Sequence, residues 1–221
     1  LAFVTGYSII KFEKAIDREM LLRLSGNAKE VDIIFNDYIN ILRQRRDKYI
    51  NEPYLKYQLS FGDSVSLNEL GSSWLRLDPA TTISYFDRQG RLITSVYEDD
   101  RQQVKTQKQS QEIIYLADRY LKHFDSSVEL SLIETTDPRK VSLILISKVE
   151  NNKGRVVGYL EQIIDLGPDF LKRLKERMKL ELMFVKESGQ VVLSTQNKLL
   201  TLDKDFLRKT KFQPLPIMEK T

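Results

Sequence analysis

The sequence predicts an α+β fold in which a long N-terminal helix packs on an antiparallel sheet, with a second, small or reduced α/β module near the C-terminus. Two observations predict this fold. Apolar residues recur at helical spacing over residues 10–49, and two glycine-turn hairpins of the same pattern lie at 82–97 and 182–195. Between the hairpins, a helical segment and three apolar segments separated by short turns complete the expected sheet.

The N-terminal helix is predicted from apolar residues that follow one another at steps of three or four. At 1.5 Å per residue, such a helix would extend about 60 Å, which exceeds the diameter of a small domain. We therefore expect a signalling stalk or dimer helix that projects beyond the core. The alternative is a long packing helix that buries its stripe on the sheet. The stripe comprises Phe12, Ile16, Met20, Leu24, Ala28, Val31, Phe35, Tyr38 and Leu42.

The first hairpin is predicted at Thr82–Asp87 and Arg91–Tyr97, because Gly90 can adopt the positive φ of a tight turn. Residues 51–79 contain repeated Pro and Gly and are expected to be irregular, with one short helix at Val65–Leu70. The later elements are expected to be a polar run at 98–110 with two possible helix starts, a helix at Gln111–Phe124, strands at Val128–Glu134, Lys140–Val149 and Gly154–Asp165, a helix at Asp169–Lys179, the second hairpin at Glu181–Thr195 and a short helix near Asp203–Lys209.

Composition excludes several classes of function. The 221 residues carry 35 basic and 31 acidic side chains that are interspersed, so we expect no nucleic-acid partner. Cysteine is absent and His123 is the single histidine, which leaves no thiol nucleophile and no His or Cys metal cluster. Glu98, Asp99 and Asp100 lack the surrounding pattern of a calcium loop and suit a solvated turn.

The sequence contains no G-x-S-x-G, Walker A or G-x-G-x-x-G motif. We therefore expect a non-catalytic fragment without a cofactor, whose full-length protein could still carry a cytoplasmic enzyme domain. No apolar run reaches 18 residues, so no segment is expected to span a membrane. The apolar start without Met suggests a piece of a longer chain that begins just after a transmembrane helix; the alternative is an arbitrary boundary.

Two motifs, which follow each other along the chain, resemble those of the extracytoplasmic PAS-like sensors called Cache domains and of the related CHASE4 type. The first is the hairpin "YFDRQGRLI", and the second is the strand and helix that begin at "GRVVGYLEQIID". The resemblance covers roughly residues 10 to 195, and it rests on the order and spacing of motifs that are individually weak. The matching positions are Phe86, Asp87, Gly90, Leu92, Gly154, Gly158, Tyr159, Leu160, Asp165, Phe170 and Leu171.

The resemblance implies a periplasmic sensor domain of a bacterial inner-membrane receptor, such as a histidine kinase of a two-component system, a cyclase, a phosphatase or a chemoreceptor. It also implies a stalk helix at 1–50, a membrane-distal sensor module at 51–166, and a connecting helix with a reduced membrane-proximal module at 167–221. The expected partners are a small-molecule ligand, such as a carboxylate or an amino acid, or a periplasmic protein, with homodimerisation through the long helix. The alternative function is a ligand-free dimerisation or protein-interaction module.

In such a fold the pocket lies between the sheet, the helix after the first hairpin and the connector before it. An inward arginine there would suit a carboxylate ligand. Trp74, Leu75 and Arg76 only partly match the amino-acid-binding motif of double Cache domains, so amino-acid binding is not transferred. The alternative is that these side chains complete the core and that the arginine is solvated. The candidate ligand-binding residues are Trp74, Arg76, Tyr85, Tyr97, Arg119, Tyr120, Ser142 and Tyr159.

Overall fold

The computed structural model describes residues 29–77, 79–99, 103–108, 114–124, 129–137, 140–179, 181–185 and 191–195, together with Glu19 and Gly26. Its centre is a six-stranded antiparallel sheet with the strand order β3-β2-β1-β6-β5-β4. The strands are β1 (Thr82–Asp87), β2 (Leu92–Glu98), β3 (Val104–Lys108), β4 (Glu129–Asp137), β5 (Lys140–Glu150) and β6 (Val156–Asp165). The α+β fold predicted from the sequence is confirmed.

Among the described residues, three helices precede the sheet: α1 (29–50), α2 (Pro53–Phe61) and α3 (Ser64–Leu75). The short helix expected at Val65–Leu70 is present within α3, but the expectation that the rest of 51–79 is irregular was wrong, because this segment forms α2 and a longer α3. Gly62 ends α2 with a positive φ of 66°, and the carboxylate of Asp63 then caps α3 by accepting from the backbone N–H of Val65 at 3.1 Å. Gly and Asp therefore separate two helices here.

The polar segment after the first hairpin also differs from its prediction. Val104–Lys108 forms β3 along β2, where helix starts were expected. The following helix, α4, covers only Asp118–His123. Ahead of α4, the backbone N–H of Leu116 donates to the carbonyl of Gly90 at 2.7 Å, and that of Leu92 donates to the carbonyl of Ile114 at 2.9 Å. These bonds hold residues 114–116 extended against the hairpin.

The two faces of the sheet carry separate cores, which we call the helix face and the α4 face. The helix face packs against α1, α2 and α3, with Leu67, Tyr85, Leu143 and Leu160 among its fully buried residues. The core of the α4 face consists of Phe86, Leu92, Leu116, Phe124, Ile144, Ile146 and Tyr159. The strands β1, β2, β5 and β6 thus contribute residues to both cores.

The described part of the N-terminal helix packs on the sheet and does not project from it. Phe35, Ile39, Leu42 and Arg46 are buried on one side of α1, and residues 29–50 span about 33 Å at 1.5 Å per residue. For these residues the alternative interpretation, a packing helix, is the one that the structure shows. The stripe positions from Phe12 to Ala28 lie outside the described residues.

The C-terminal elements pack against the same core as α1. Helix α5 (Pro168–Met178) is followed by a two-stranded sheet of β7 (Met183–Val185) and β8 (Val191–Ser194), so the second hairpin is present. Phe170 of α5 and Val192 of β8 are buried in the core of the helix face. The helix expected near Asp203–Lys209 lies outside the described residues, and no described helix is long and apolar enough to cross a membrane.

Candidate functional site

The candidate residues divide between the two faces of the sheet. Trp74 and Tyr85 lie in the core of the helix face, and Arg76 is exposed just after α3. The strand register and the second core place four residues on the α4 face: Tyr97, Tyr120, Ser142 and Tyr159. Arg119 belongs to α4, and its side chain lies outside the described part of the molecule.

Aromatic side chains fill the helix face between α3 and the sheet. The rings of Tyr49 and Trp74 stack at 4.0 Å with an interplanar angle of 17°, and Tyr85 lies 6.4 Å from Trp74. A Cβ on Gly71 would come within 3.1 Å of the Tyr85 hydroxyl oxygen, so this helix needs glycine at the crossing. Trp74 and Tyr85 are accordingly packed on all sides.

The hydroxyl of Tyr85 is a buried polar group within this aromatic cluster. Its side chain is 0% exposed, and the hydroxyl has no hydrogen-bond partner among the described residues. Burial raises the pKa of Tyr85 well above its ordinary value, and the nearby Glu52 and Tyr49 raise it further. The phenol therefore stays neutral.

A small cavity accompanies this face further along the sheet. It has a volume of about 10 Å³, which is about the space for one water molecule. Its lining includes Leu42 of α1, Leu145 of β5 and the buried amide of Gln162 of β6. This space does not reach the size of an organic ligand.

The α4 face carries a polar row across its central strands. Ser84 and Ser95 are directly paired, and their hydroxyl oxygens lie 3.1 Å apart in a buried position. Glu161 follows next to Ser84 on β6, and Gln107 follows next to Ser95 on β3. Because directly paired residues share a face, two hydroxyls, a carboxylate and an amide form one line.

A second row lies beside the first and holds Tyr97. This tyrosine pairs with Thr82 on one side and Lys105 on the other, and it is half-buried. Lys105 forms an ion pair with Asp99 at 2.5 Å, and the hydrogen bond and charge of that carboxylate raise the pKa of Lys105. The row thus places a phenol inside the sheet and a cation at its exposed edge.

Helix α4 is anchored to the strands at its C-terminal end. The ammonium group of Lys148 donates to the carbonyl of Phe124 at 3.2 Å and pairs with Glu150 at 3.1 Å. The ring of Phe124 lies 5.3 Å from that of Tyr159, and Tyr120 packs against the same core. These contacts cover one end of the α4 face with apolar and aromatic side chains. The polar row that contains Ser84 lies beside them.

Ser142 lies apart from the Ser84 row, near the end of β5. Its hydroxyl donates to Oδ1 of Asp165 at 2.9 Å, and its side chain is buried. The serine is directly paired with Asp165 and shares its face with Ile144 and Ile146. Ser142 therefore lies at the margin of the α4 face. A ligand that bound its hydroxyl would have to replace the hydrogen bond to Asp165.

The chemistry of the α4 face is that of hydrogen bonding. The hydroxyl oxygens of Ser84 and Ser95 lie 3.1 Å apart, and Glu161 is paired with Ser84 in the same row. Within the described ranges no group of His, Asp or Glu is arranged to hold a metal ion. Hydroxyl, amide, phenol and carboxylate groups together can orient a small polar molecule.

Sequence reasoning missed Ser84, Ser95 and Glu161. The two serines are neighbours only because the β1–β2 register shifts by one residue between Tyr85 and Phe86. Glu161 joins them through the long-range pairing of β1 with β6. A regular hairpin that continued the pairing of Phe86 with Leu92 would pair Ser84 with Thr94, so the hairpin pattern alone does not reveal this row.

Solved structures similar to this chain include three sensory domains. The extracellular domain of the candidate histidine kinase vpHK1S-Z8 has a TM-score of 0.60 and 18% identity, over 81% of this chain and 69% of that one. The sensory domain of the Campylobacter jejuni chemoreceptor Tlp3 has a TM-score of 0.55 and 12% identity, over 80% and 70%. The periplasmic domain of Vibrio cholerae LuxQ has a TM-score of 0.54 and 20% identity, over 84% and 85%.

The likeness to these structures is one of fold, because each identity is below 25%. No protein-family model and no curated protein matches the sequence. The chain has the α+β fold found in extracytoplasmic sensory domains of bacterial receptors.

Proposed function

We propose that the chain is an extracytoplasmic sensor domain, of Cache or CHASE4 type, of a bacterial transmembrane signalling receptor. The observation that carries the proposal is that the two faces of one sheet carry different groups. The α4 face holds the polar row of Ser84, Ser95 and Glu161, and the helix face holds α1 and, through Phe170, α5. A signal received on one face can therefore reach the helices on the other through a shared layer.

The ligand on this proposal is a small polar molecule that binds the α4 face. Ser84, Ser95 and Glu161 would supply its hydrogen bonds, and Tyr97 and Tyr159 would border it. Tyr120 and Arg119 of α4 and Ser142 of β5 remain candidates at its margin. Trp74 and Tyr85 belong to the packed helix face, so a ligand role for either would require that face to open. Arg76 is exposed just after α3.

The same proposal covers the arrangement of the full receptor. Residues 1–50 would form the stalk helix, 51–166 the membrane-distal module, and 167–221 a connecting helix with a reduced proximal module, anchored to the inner membrane and facing the periplasm. A homodimer through α1 is supported by Ile33 and Ile41, which are 61% and 50% exposed and lie about two helical turns apart. The cytoplasmic partner would be a kinase, cyclase, phosphatase or chemoreceptor signalling region.

A thermal-shift screen with amino acids, other carboxylates and amines tests the proposal. A compound present at one hundred times its Kd should stabilise the domain by about 2.7 kcal/mol. The stabilisation should be lost in Ser95→Ala and Glu161→Gln, whose groups lie in the polar row. It should persist in Glu176→Gln, because Glu176 is exposed on α5. Stabilisation that survives both row variants would contradict the proposed site.

A flat response across the screen would favour the second candidate function, a ligand-free dimerisation or protein-interaction module. One observation favours this alternative. Tyr57 and Phe61 are exposed on α2 with their rings 4.7 Å apart, and Tyr54 lies on the same helix and is also exposed. Exposed aromatic clusters are typical of protein-binding surfaces. Light scattering on the unliganded domain would separate a dimer from a monomer that awaits another partner.

A further inference from the structure

Glu129, the first residue of β4, is contacted by both helical layers. On the helix face, Oε1 of its carboxylate lies 3.2 Å from Nε of Arg43, and Oε2 accepts from Nη2 of Arg46, both on α1. Towards α4, Nε2 of His123 lies 2.9 Å from the backbone carbonyl oxygen of Glu129. One residue at the edge of the sheet therefore joins the last residue of α4 to the C-terminal third of α1.

The contact with α1 joins a buried cation to a carboxylate that is partly exposed, since the side chain of Glu129 is 36% exposed. The side chain of Arg46 is 2% exposed, and the same Nη2 also lies 3.0 Å from Oδ1 of Asp47. If the contact with Glu129 breaks, the buried guanidinium keeps only the compensating charge of Asp47, so breaking this contact is costly. The ion pair of Lys105 and Asp99, at the opposite edge of the sheet, differs in its cation, whose side chain is 52% exposed.

The contact with α4 is equally well placed to transmit movement. His123 ends α4, and the next residue, Phe124, has its carbonyl fixed by Lys148 and its ring against Tyr159. A ligand that binds the α4 face and displaces α4 would therefore move His123. The hydrogen bond of His123 carries that displacement to the backbone of Glu129, and the carboxylate carries it to α1.

We propose that Glu129 is the coupling residue between the ligand-side helix α4 and the helix α1. This inference rests on the proposed sensor function for its biological meaning. Its physical content is a coupling free energy between two contacts of one residue, which by linkage is reciprocal. Weakening the His123 contact must loosen α1, and weakening the Arg46 contact must loosen the end of α4.

Hydrogen exchange followed by mass spectrometry tests this reciprocity on the unliganded domain. In His123→Ala, amide exchange in residues 42–50 of α1 should accelerate at least about fivefold, the lower end of typical allosteric coupling. In Arg46→Met, exchange in residues 119–124 should accelerate similarly. Exchange in β6 serves as the internal reference for global unfolding and should stay unchanged. Lys105→Met is the matched control, since it also removes one cation from an ion pair but lies on the far edge strand.

The single histidine provides a second measurement, which does not depend on His123→Ala or Arg46→Met folding well. The imidazole NMR signals of His123 are unambiguous, and they should shift in Arg43→Gln, which weakens the α1 contact and keeps Arg46 in place. Accelerated exchange at α4 in His123→Ala with no change at α1, or imidazole signals unmoved in Arg43→Gln, would overturn the inference. Because neither measurement uses a ligand, a failed ligand screen would leave the coupling standing, and a failed coupling would leave ligand binding standing.

Discussion

The ring of Phe170 in α5 lies 5.3 Å from the ring of Tyr38 in α1, and 6.2 Å from that of Phe35 one turn earlier. The two helices that would connect the domain to the membrane are thus in direct aromatic contact. Phe170 is only 8% exposed, so this contact belongs to the core of the helix face. Any relative movement of α1 and α5 has to rearrange it.

Replacing Phe170 tests how much this contact stabilises the domain. Phe170→Ala should lower the free energy of unfolding by about 3 kcal/mol, since it removes a buried ring and leaves a cavity between α1 and α5. Urea unfolding followed by circular dichroism measures the change. Lys172→Ala, on the exposed side of α5, should stay within about 0.5 kcal/mol of the parent. Equal effects of the two variants would show that α5 does not pack on α1 in solution.

Gly158 is expected to resist substitution because any side chain there would contact the backbone of the neighbouring strand. A Cβ at this position in β6 would lie 2.3 Å from the carbonyl oxygen of Phe86 in β1. Gly158→Ser should therefore lower the free energy of unfolding by about 3 kcal/mol, at the upper end of the cost of overpacking. Gly167→Ser is the matched control: its Cβ would meet nothing within 4 Å, and serine is favoured at the N-cap of α5. A Gly158→Ser variant as stable as the control would contradict the β1–β6 register.

Several elements could be predicted from local sequence because local chemistry decides them. Gly90 adopts φ of 77° in the turn between β1 and β2, and Pro168 begins α5. The hairpin of β5 and β6 follows from Gly154, which also has a positive φ. The end of α2 at Gly62 and the cap of α3 at Asp63 were equally local signals, and they were outweighed by the frequency of Pro and Gly around them.

The arrangement of the candidate site could not be predicted in this way, because it depends on one extra residue in a strand. Tyr85 pairs with Thr94 and Phe86 pairs with Leu92, so Ile93 has no partner of its own. A one-residue shift of this kind moves all later side chains of β2 to the other face. Tyr97 therefore lies on the α4 face and Tyr85 on the helix face. The strand β3 was missed for a related reason: its sequence, VKTQK, is polar and gains strand structure from pairing with β2.

Removing the hydroxyl of Tyr85 should not destabilise the domain. The hydroxyl is buried without a hydrogen-bond partner among the described residues, so Tyr85→Phe relieves its desolvation and should raise the free energy of unfolding by about 1 kcal/mol or leave it unchanged. Ser84→Ala is the contrasting variant. Its hydroxyl contacts that of Ser95 at 3.1 Å, and its loss should cost about 1 kcal/mol. Urea unfolding at pH 7 compares them, and a clearly destabilised Tyr85→Phe would reveal a bond to this hydroxyl.

Alkaline pH should separate the same two proteins further. Burial raises the pKa of Tyr85 in the folded state, whereas the unfolded phenol ionises near its ordinary value of about 10. The folded state is therefore disfavoured progressively as the pH rises above that value, since only the unfolded chain releases the proton. Between pH 9 and pH 11 the parent should lose more stability than Tyr85→Phe. Identical losses would mean that the phenol ionises in the folded domain.

Acid pH should act on the cap of α3 with the opposite sign. Asp63 accepts hydrogen bonds from the hydroxyl of Ser66 at 2.7 Å and from the backbone N–H groups of Ser66 and Val65, which lower its pKa in the folded state. The ionised cap therefore contributes stability that is fully present above the unfolded pKa and is lost as the pH falls through the lower folded value. Asp63→Asn keeps a capping oxygen but cannot titrate. The stability advantage of the parent over Asp63→Asn should be largest at pH 6 and should shrink towards pH 2, as measured by urea unfolding at each pH. A difference independent of pH would show that the charge of Asp63 has no part in capping, because the amide would then reproduce everything that the carboxylate does.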